Sequence, residues 1–119
     1  MRNIDDHFDG FGLNDSITLQ ADDAGTGGAS HHYTATVGGV KVLDVQFQHG
    51  ARDEAGSTPG VTDRVLLAVL LDRMRSFQSG PFGSRLNSLA LTAIEQAMLW
   101  LHQRTMERDR RGVLGKEKA

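Results

Sequence analysis

The spacing of apolar residues changes character twice along the chain. Residues 1–15, MRNIDDHFDGFGLND, carry Ile4, Phe8 and Phe11 with neither a strand nor a helix period, and read as an N-terminal arm. From Ser16 the pattern alternates, with Ile17, Leu19 and Ala21 on one side of Thr18 and Gln20, as in a strand with one apolar face. Asp22 to Ser30, DDAGTGGAS, has no apolar side chain larger than alanine and predicts a mobile connection. Alternation resumes over His31 to Val37, with Tyr33, Ala35 and Val37 on one face. Gly38-Gly39 then supplies the pair of positive-φ residues that a two-residue hairpin turn needs, and Val40 to Gln48 returns. A three-stranded antiparallel meander over residues 16–48 is the expectation. In its last strand Val40 and Val42 share one parity while Leu43, Val45 and Phe47 share the other. That phase change predicts a bulge between Val42 and Leu43, or a strand buried on both faces at its start.

Residues 49–60, HGARDEAGSTPG, are a linker by composition, closed by Pro59-Gly60. The period then becomes helical. Thr62 is an N-cap candidate, and Val65, Leu66, Val69, Leu70, Met74 and Phe77 recur at three- and four-residue steps, predicting a helix from Thr62 to Ser79. Leu67, Ala68 and Leu71 make it apolar on much of its circumference, which in a short chain points to burial in an oligomer. Gly80-Pro81-Phe82-Gly83 breaks the helix. Ser84 caps a second one with the stripe Leu86, Leu89, Ala90, Ala93, Ile94, Ala97, Met98 and Leu101, ending near Gly112. So short a loop makes the helices antiparallel neighbours. The fold class is therefore α+β: an N-terminal meander, then a helical hairpin over 61–112, with 113–119 a frayed tail.

Composition narrows the function classes. In 119 residues there is room for one domain, or for a small sheet plus a helical unit. The formal charge of -2 offers no global attraction to DNA or to an anionic membrane. The absence of cysteine removes disulfides, thiolate zinc sites and cysteine nucleophiles, which suits a reducing compartment. Val65 to Leu71, the longest apolar run, falls far short of the roughly 20 residues of a membrane helix, and the acidic start is unlike a signal peptide. A soluble, intracellular protein is expected.

Candidate chemistry is sparse. His31-His32 with His49, and Asp5-Asp6-His7 with Asp9, are the only clusters that suggest a metal. Adjacent histidines on a strand point to opposite faces, and no ligand motif is present, so no metal and no cofactor is expected. No GxSxG elbow or acid–base pair is visible, and no enzyme is expected. GTGG at 25–28 lacks the Lys and the following helix of a phosphate loop. The Arg-rich end (Arg104, Arg108, Arg110, Arg111) is interleaved with Glu107 and Asp109, as in a solvated helix end. The start of the second helix is the better anion site, because helix N-termini present free N–H groups. It carries Ser84, Arg85, Ser88 and Thr92, of which Arg85, Ser88 and Thr92 share one helix face. Three such faces brought together by symmetry would ring a multi-phosphate ligand. Phe77 and Phe82 flank the turn and are base-stacking candidates, as is Tyr33. For each of these residues, capping or core packing is the competing reading.

The stretch Ser88 to Trp100, SLALTAIEQAMLW, between RSFQSGPFGSR and RTMERDRRGVLG, resembles the hairpin domain of phage proteins that sequester immune signalling nucleotides, the anti-CBASS and anti-Thoeris sponges. Their signature is close to SLALT-x-LE-x-A-x-x-W. Ser88, Leu89, Ala90, Leu91, Thr92, Glu95, Ala97 and Trp100 follow it, with Ile94 in place of Leu, and the resemblance spans about residues 61 to 115. Where a basic residue commonly precedes the SLALT run, this chain has Asn87. The resemblance implies a sponge without catalysis, acting in the cytoplasm of the infected bacterial host and assembling as a homo-oligomer, often a hexamer. It implies binding of a cyclic di- or trinucleotide or a cyclic ADP-ribose isomer between subunits, with Arg85, Ser88 and Thr92 in the phosphate-binding segment. From the charge and the short apolar runs, no DNA or membrane partner is expected. The alternative is a phage structural or adaptor protein whose hairpin serves assembly alone.

Overall fold

A computed structural model describes residues 1–25, 27–51 and 54–112. The tail expected to fray lies outside the described residues. The chain divides into two compact units, one ending at Val61 and one beginning at Thr62.

The first unit is an antiparallel sheet of four strands, β1 (Arg2–Ile4), β2 (Thr18–Ala21), β3 (His32–Val37) and β4 (Val40–Gln46), hydrogen-bonded in chain order. The expected meander is β2 to β4. The additional strand, β1, lies in the segment read as an arm, where it pairs Arg2 with Ala21 and Ile4 with Leu19. Three residues are too few to show alternation, so only pairing with β2 reveals this strand. The return from β1 to β2 is held by Asp9. Its carboxylate accepts from Phe11 N (3.1 Å) and Asn14 Nδ2 (2.8 Å), while its own N–H donates to Asp15 (2.8 Å). Donation from the Phe11 backbone, then from Asn14, holds the Asp9 carboxyl below its ordinary pKa.

Gly38 and Gly39 take φ of 54° and 79°, the left-handed pair expected of the β3–β4 turn. Ala35 pairs with Leu43 but Thr36 with Lys41, leaving Val42 without a partner. Of the two readings of the phase change, the bulge is the one realised. Across the sheet, Ile4, Leu19, Ala35 and Leu43 share one register line, and the most buried side chains are small: Ala21 and Ala35.

β4 ends at Gln46 because the chain changes partners there. Phe47 N donates to His31 O (2.7 Å), Gln48 N to Val61 O (2.9 Å) and Val61 N to Gln46 O (2.9 Å), while His49 and Thr58 exchange both backbone bonds. The stretch read as a linker thus folds back on itself beside β4. Gly60 passes so close to Gln46 O and Phe47 C that a Cβ there would collide with backbone.

The second unit is the antiparallel hairpin of α1 (Asp63–Ser79) and α2 (Arg85–Arg110). Both caps form as expected: Thr62 Oγ1 accepts from Val65 N (3.3 Å), and Ser84 Oγ from Asn87 N (3.1 Å). Past the end of α2, Gly112 takes φ of 71°. The helices pack against each other, and half-buried or buried positions, Arg64, Leu67, Leu71, Met74 and Gln78 of α1 and Asn87, Leu91, Ile94, Met98, Leu101 and Thr105 of α2, mark the seam. Arg75 pairs with Glu95 (3.4 Å), and Arg64 donates to His102 Nδ1 (3.4 Å).

Helical spacing alone marked a broader stripe than this seam. One neighbour covers only one arc of a helix, so of the α1 stripe Leu66 and Met74 are half-buried while Val65, Val69, Leu70 and Phe77 are exposed. Only Leu71 is fully buried on α1, and no residue is on α2. Among the described residues, no helix is long and apolar enough to cross a membrane.

Candidate functional site

The turn between the helices is built from side chains that cap the backbone on both sides. Gln78 Oε1 accepts from Ser84 N (3.0 Å), and Asn87 Nδ2 donates to Phe82 O (3.1 Å). Ser79 Oγ donates to Arg75 O (3.0 Å), closing the last turn of α1. Gly83 is required by packing, because a Cβ there would stand 2.7 Å from Gln78 O. This bracing fixes Pro81 and Phe82 as the outer lip of a cleft of about 370 Å³.

The cleft's α1 wall carries Asp72, Arg73, Ser76 and Phe77. The Arg73 guanidinium lies over the Phe77 ring, 5.2 Å from its centroid, in a cation–π contact. Phe82 is 74% exposed, which leaves its ring open to a planar ligand. Two of the expected stacking residues, Phe77 and Phe82, therefore share one concavity. Asp72, Arg73 and Ser76 were not found by sequence reading. The available signal was the i, i+4 spacing of Arg73 and Phe77 just before a chain break.

Arg85, Ser88 and Thr92 lie on a different surface. At about 100° per residue they fall within an arc of roughly 60°, centred about 120° around the helix from the half-buried row Asn87, Leu91, Ile94 and Met98, and all three are exposed. The row thus faces away from α1, whereas the cleft lies on the outer side of α1 and the turn. Within a single chain the structure brings Phe77 and Phe82 together, and Arg85, Ser88 and Thr92 together, but does not join the two groups. Ser84 serves as the cap at the start of α2. Leu86, Leu89, Leu99 and Trp100, between 53% and 77% exposed, lie on the exposed side of α2 with the Arg85 row.

Tyr33 belongs to the sheet unit, where its ring meets Phe47 edge-on with centroids 5.5 Å apart. The same unit shows where the histidines go. His31 stacks on His49 at 4.0 Å, while His32 points to the other face of β3 and lies between Asp22 and Asp44. Hydrogen bonds donated to Asp44 and then to Asp22 raise the His32 pKa. The Asp44 carboxyl is lowered by His32 first and then Lys41. Among the described residues, no group of three or more His, Cys, Asp or Glu side chains is placed to hold a metal ion. At the basic end of α2, Arg111 pairs with Glu107 (3.0 Å).

Residues 40–106 match the protein family described as Acb2/Tad1, hairpin domain. The chain is also similar to Thoeris anti-defense 1 of Bacillus phage SBSphiJ7, with 40% identity over 91 residues, or 76% of this chain. It spans 63% of the length of that curated relative. The family match begins at the first residue of β4 and runs through the hairpin turn and most of α2.

Proposed function

The chain belongs to the Acb2/Tad1 hairpin family, and on that premise we propose that it is a phage anti-defence protein that captures a cyclic immune messenger and holds it without cleavage. The relative's designation as a Thoeris anti-defence protein supports the anti-defence reading. The messenger class is a cyclic di- or trinucleotide or a cyclic ADP-ribose isomer, bound inside the infected bacterial host.

One observation carries this reading: a row of polar groups at the start of α2, Arg85, Ser88 and Thr92, faces outward and is turned away from its own hairpin. The Arg85 guanidinium has no ion-pair partner among the described residues. Guanidinium, hydroxyls and the positive end of a helix are donors matched to phosphate oxygens. In this proposal they contact phosphate while Phe77 and Phe82 stack on bases; Tyr33, packed on Phe47, is left out of the contact set. Exposed apolar side chains beside the donor row, Leu89 and Trp100 among them, favour assembly through this same side of α2. A homo-oligomer, with the hexamer as the favoured form, would bring donor rows from several copies to one ligand. It would also let the cleft of one copy meet the donor row of another.

Native mass spectrometry of the full chain, mixed with cyclic di- and trinucleotides and cyclic ADP-ribose isomers, tests the proposal. A stoichiometric adduct on an oligomer, released intact by heat, is the expected result. Release of a linear product means an enzyme. An oligomer with no adduct from any compound favours the adaptor reading, in which the exposed apolar arcs serve assembly alone.

A further inference from the structure

The cleft at the helical turn contains a group that stacking does not use. On its α1 wall, Asp72 and Ser76 form one i, i+4 row and Arg73 and Phe77 a second. Arg73 is directed over the Phe77 ring rather than toward a carboxylate. Asp72 has no hydrogen-bond or ion-pair partner among the described residues. The wall therefore presents an unpaired carboxylate next to a cation and an aromatic face.

That combination sorts ligands by chemistry. An ionised carboxylate only accepts hydrogen bonds, so a bare phosphate brought beside Asp72 is repelled and offers it no proton. A nucleoside offers what the wall lacks: a flat ring for Phe77 and Phe82, and hydroxyl or amino donors at its edge. Hydrogen bonds to an ionised acceptor are about twice as strong as neutral ones. A ligand with a donor in that position therefore gains affinity over one without it.

We propose that Asp72 is a specificity-determining residue of this cleft, accepting a hydrogen bond from a donor on a nucleoside moiety, either a ribose hydroxyl or an exocyclic base amine. The inference rests on the nucleotide-capture reading above and adds to it a reason why one nucleoside moiety of the messenger must carry such a donor.

The test measures calorimetric affinities of the wild-type chain and Asp72→Asn for cyclic ADP-ribose, cyclic di-AMP and cyclic tri-AMP. Each compound is paired with its 2′-deoxy and its hypoxanthine counterpart. Asp72→Asn keeps the side-chain shape at an exposed position, and unchanged helix content and oligomer mass confirm an intact fold. The expected result is an affinity about 10- to 100-fold weaker for Asp72→Asn. One counterpart should show the same loss on the wild-type chain and no further loss on Asp72→Asn. The deoxy counterpart in that role identifies a ribose hydroxyl, and the hypoxanthine counterpart a base amine. Affinity for Asp72→Asn equal to or tighter than wild type overturns the proposal, and does so without touching the sponge reading if Arg85→Ala still loses the ligand. No binding of any compound by the wild-type chain overturns both.

Discussion

Nε2 of His32 lies 2.6 Å from Oδ1 of Asp44, one strand over. Its other ring nitrogen is 2.9 Å from Asp22, and Lys41 holds the second oxygen of Asp44 at 3.1 Å. A neutral imidazole has one N–H and satisfies one of these carboxylates; an imidazolium satisfies both. The ring thereby ties the end of β2 to β3 and β4.

A pH dependence follows from that clamp. The raised His32 pKa stabilises the sheet fully below the ordinary histidine value of about 6.5, and the contribution is lost as pH climbs through the folded value. The lowered Asp44 pKa acts in the opposite sense: its contribution is present above about 3.9 and is lost as pH falls through the folded value. The clamp is therefore strongest between those limits, and the thermal midpoint of the sheet should fall from pH 6 to pH 9. His32→Gln should flatten that slope. An NMR titration placing the His32 midpoint at or below that of free histidine would refute the assignment.

Arg85→Ala should abolish messenger binding while leaving oligomer mass and helix content unchanged, because the side chain is exposed and contributes no packing. One charge-assisted contact is worth about 1.5–3 kcal/mol, and a symmetric pocket loses it once per copy. Arg85→Lys should recover only part of the affinity, since an ammonium cannot make the planar two-pronged contact of a guanidinium. Binding by Arg85→Ala at wild-type strength removes Arg85 from the site.

Phe82→Ala should cost little stability, given a side chain 74% exposed. A base stacked on an aromatic ring contributes about 1–3 kcal/mol, so affinity should drop roughly 5- to 150-fold. Calorimetry on Phe82→Ala and Phe82→Tyr separates stacking from a change in the turn. Tyr retains a π-face and should bind almost as wild type, and equal loss in both variants argues against stacking.

Trp100→Glu should lower the assembly mass and weaken messenger binding together, while circular dichroism keeps its helical signal. Trp100 is 69% exposed, and Leu89, Leu99 and Trp100 present apolar surface beside the donor row. An oligomer of unchanged mass would mean that this side of α2 takes no part in assembly.

The hairpin was the most legible part of the chain. Thr62, Ser84 and Gly112 mark helix ends through local chemistry that needs no tertiary partner, and each has the role its residue type suggests. Gly38-Gly39 and the phase change at Val42 were legible for the same reason. β1 was not, because an edge strand of three residues is defined by hydrogen bonds to Leu19, Gln20 and Ala21 rather than by its own pattern. The candidate site was legible in part. Helical period put Arg85, Ser88 and Thr92 on one face, and the chain break marked Phe77 and Phe82 as neighbours of the turn.

By itself, then, the amino-acid sequence determined where both helices of the hairpin and the strands β2 to β4 form, because period, caps and turn glycines act over a few residues. Only the tertiary structure decided which arc of each helix its partner covers. It thereby decided that the Arg85 row faces outward, that Phe77 and Phe82 share a cleft with Asp72, and that His32 lies between two carboxylates. Those relations depend on how segments distant in the chain pack, and hydrophobic burial specifies which faces turn inward without specifying the polar groups left at their rims.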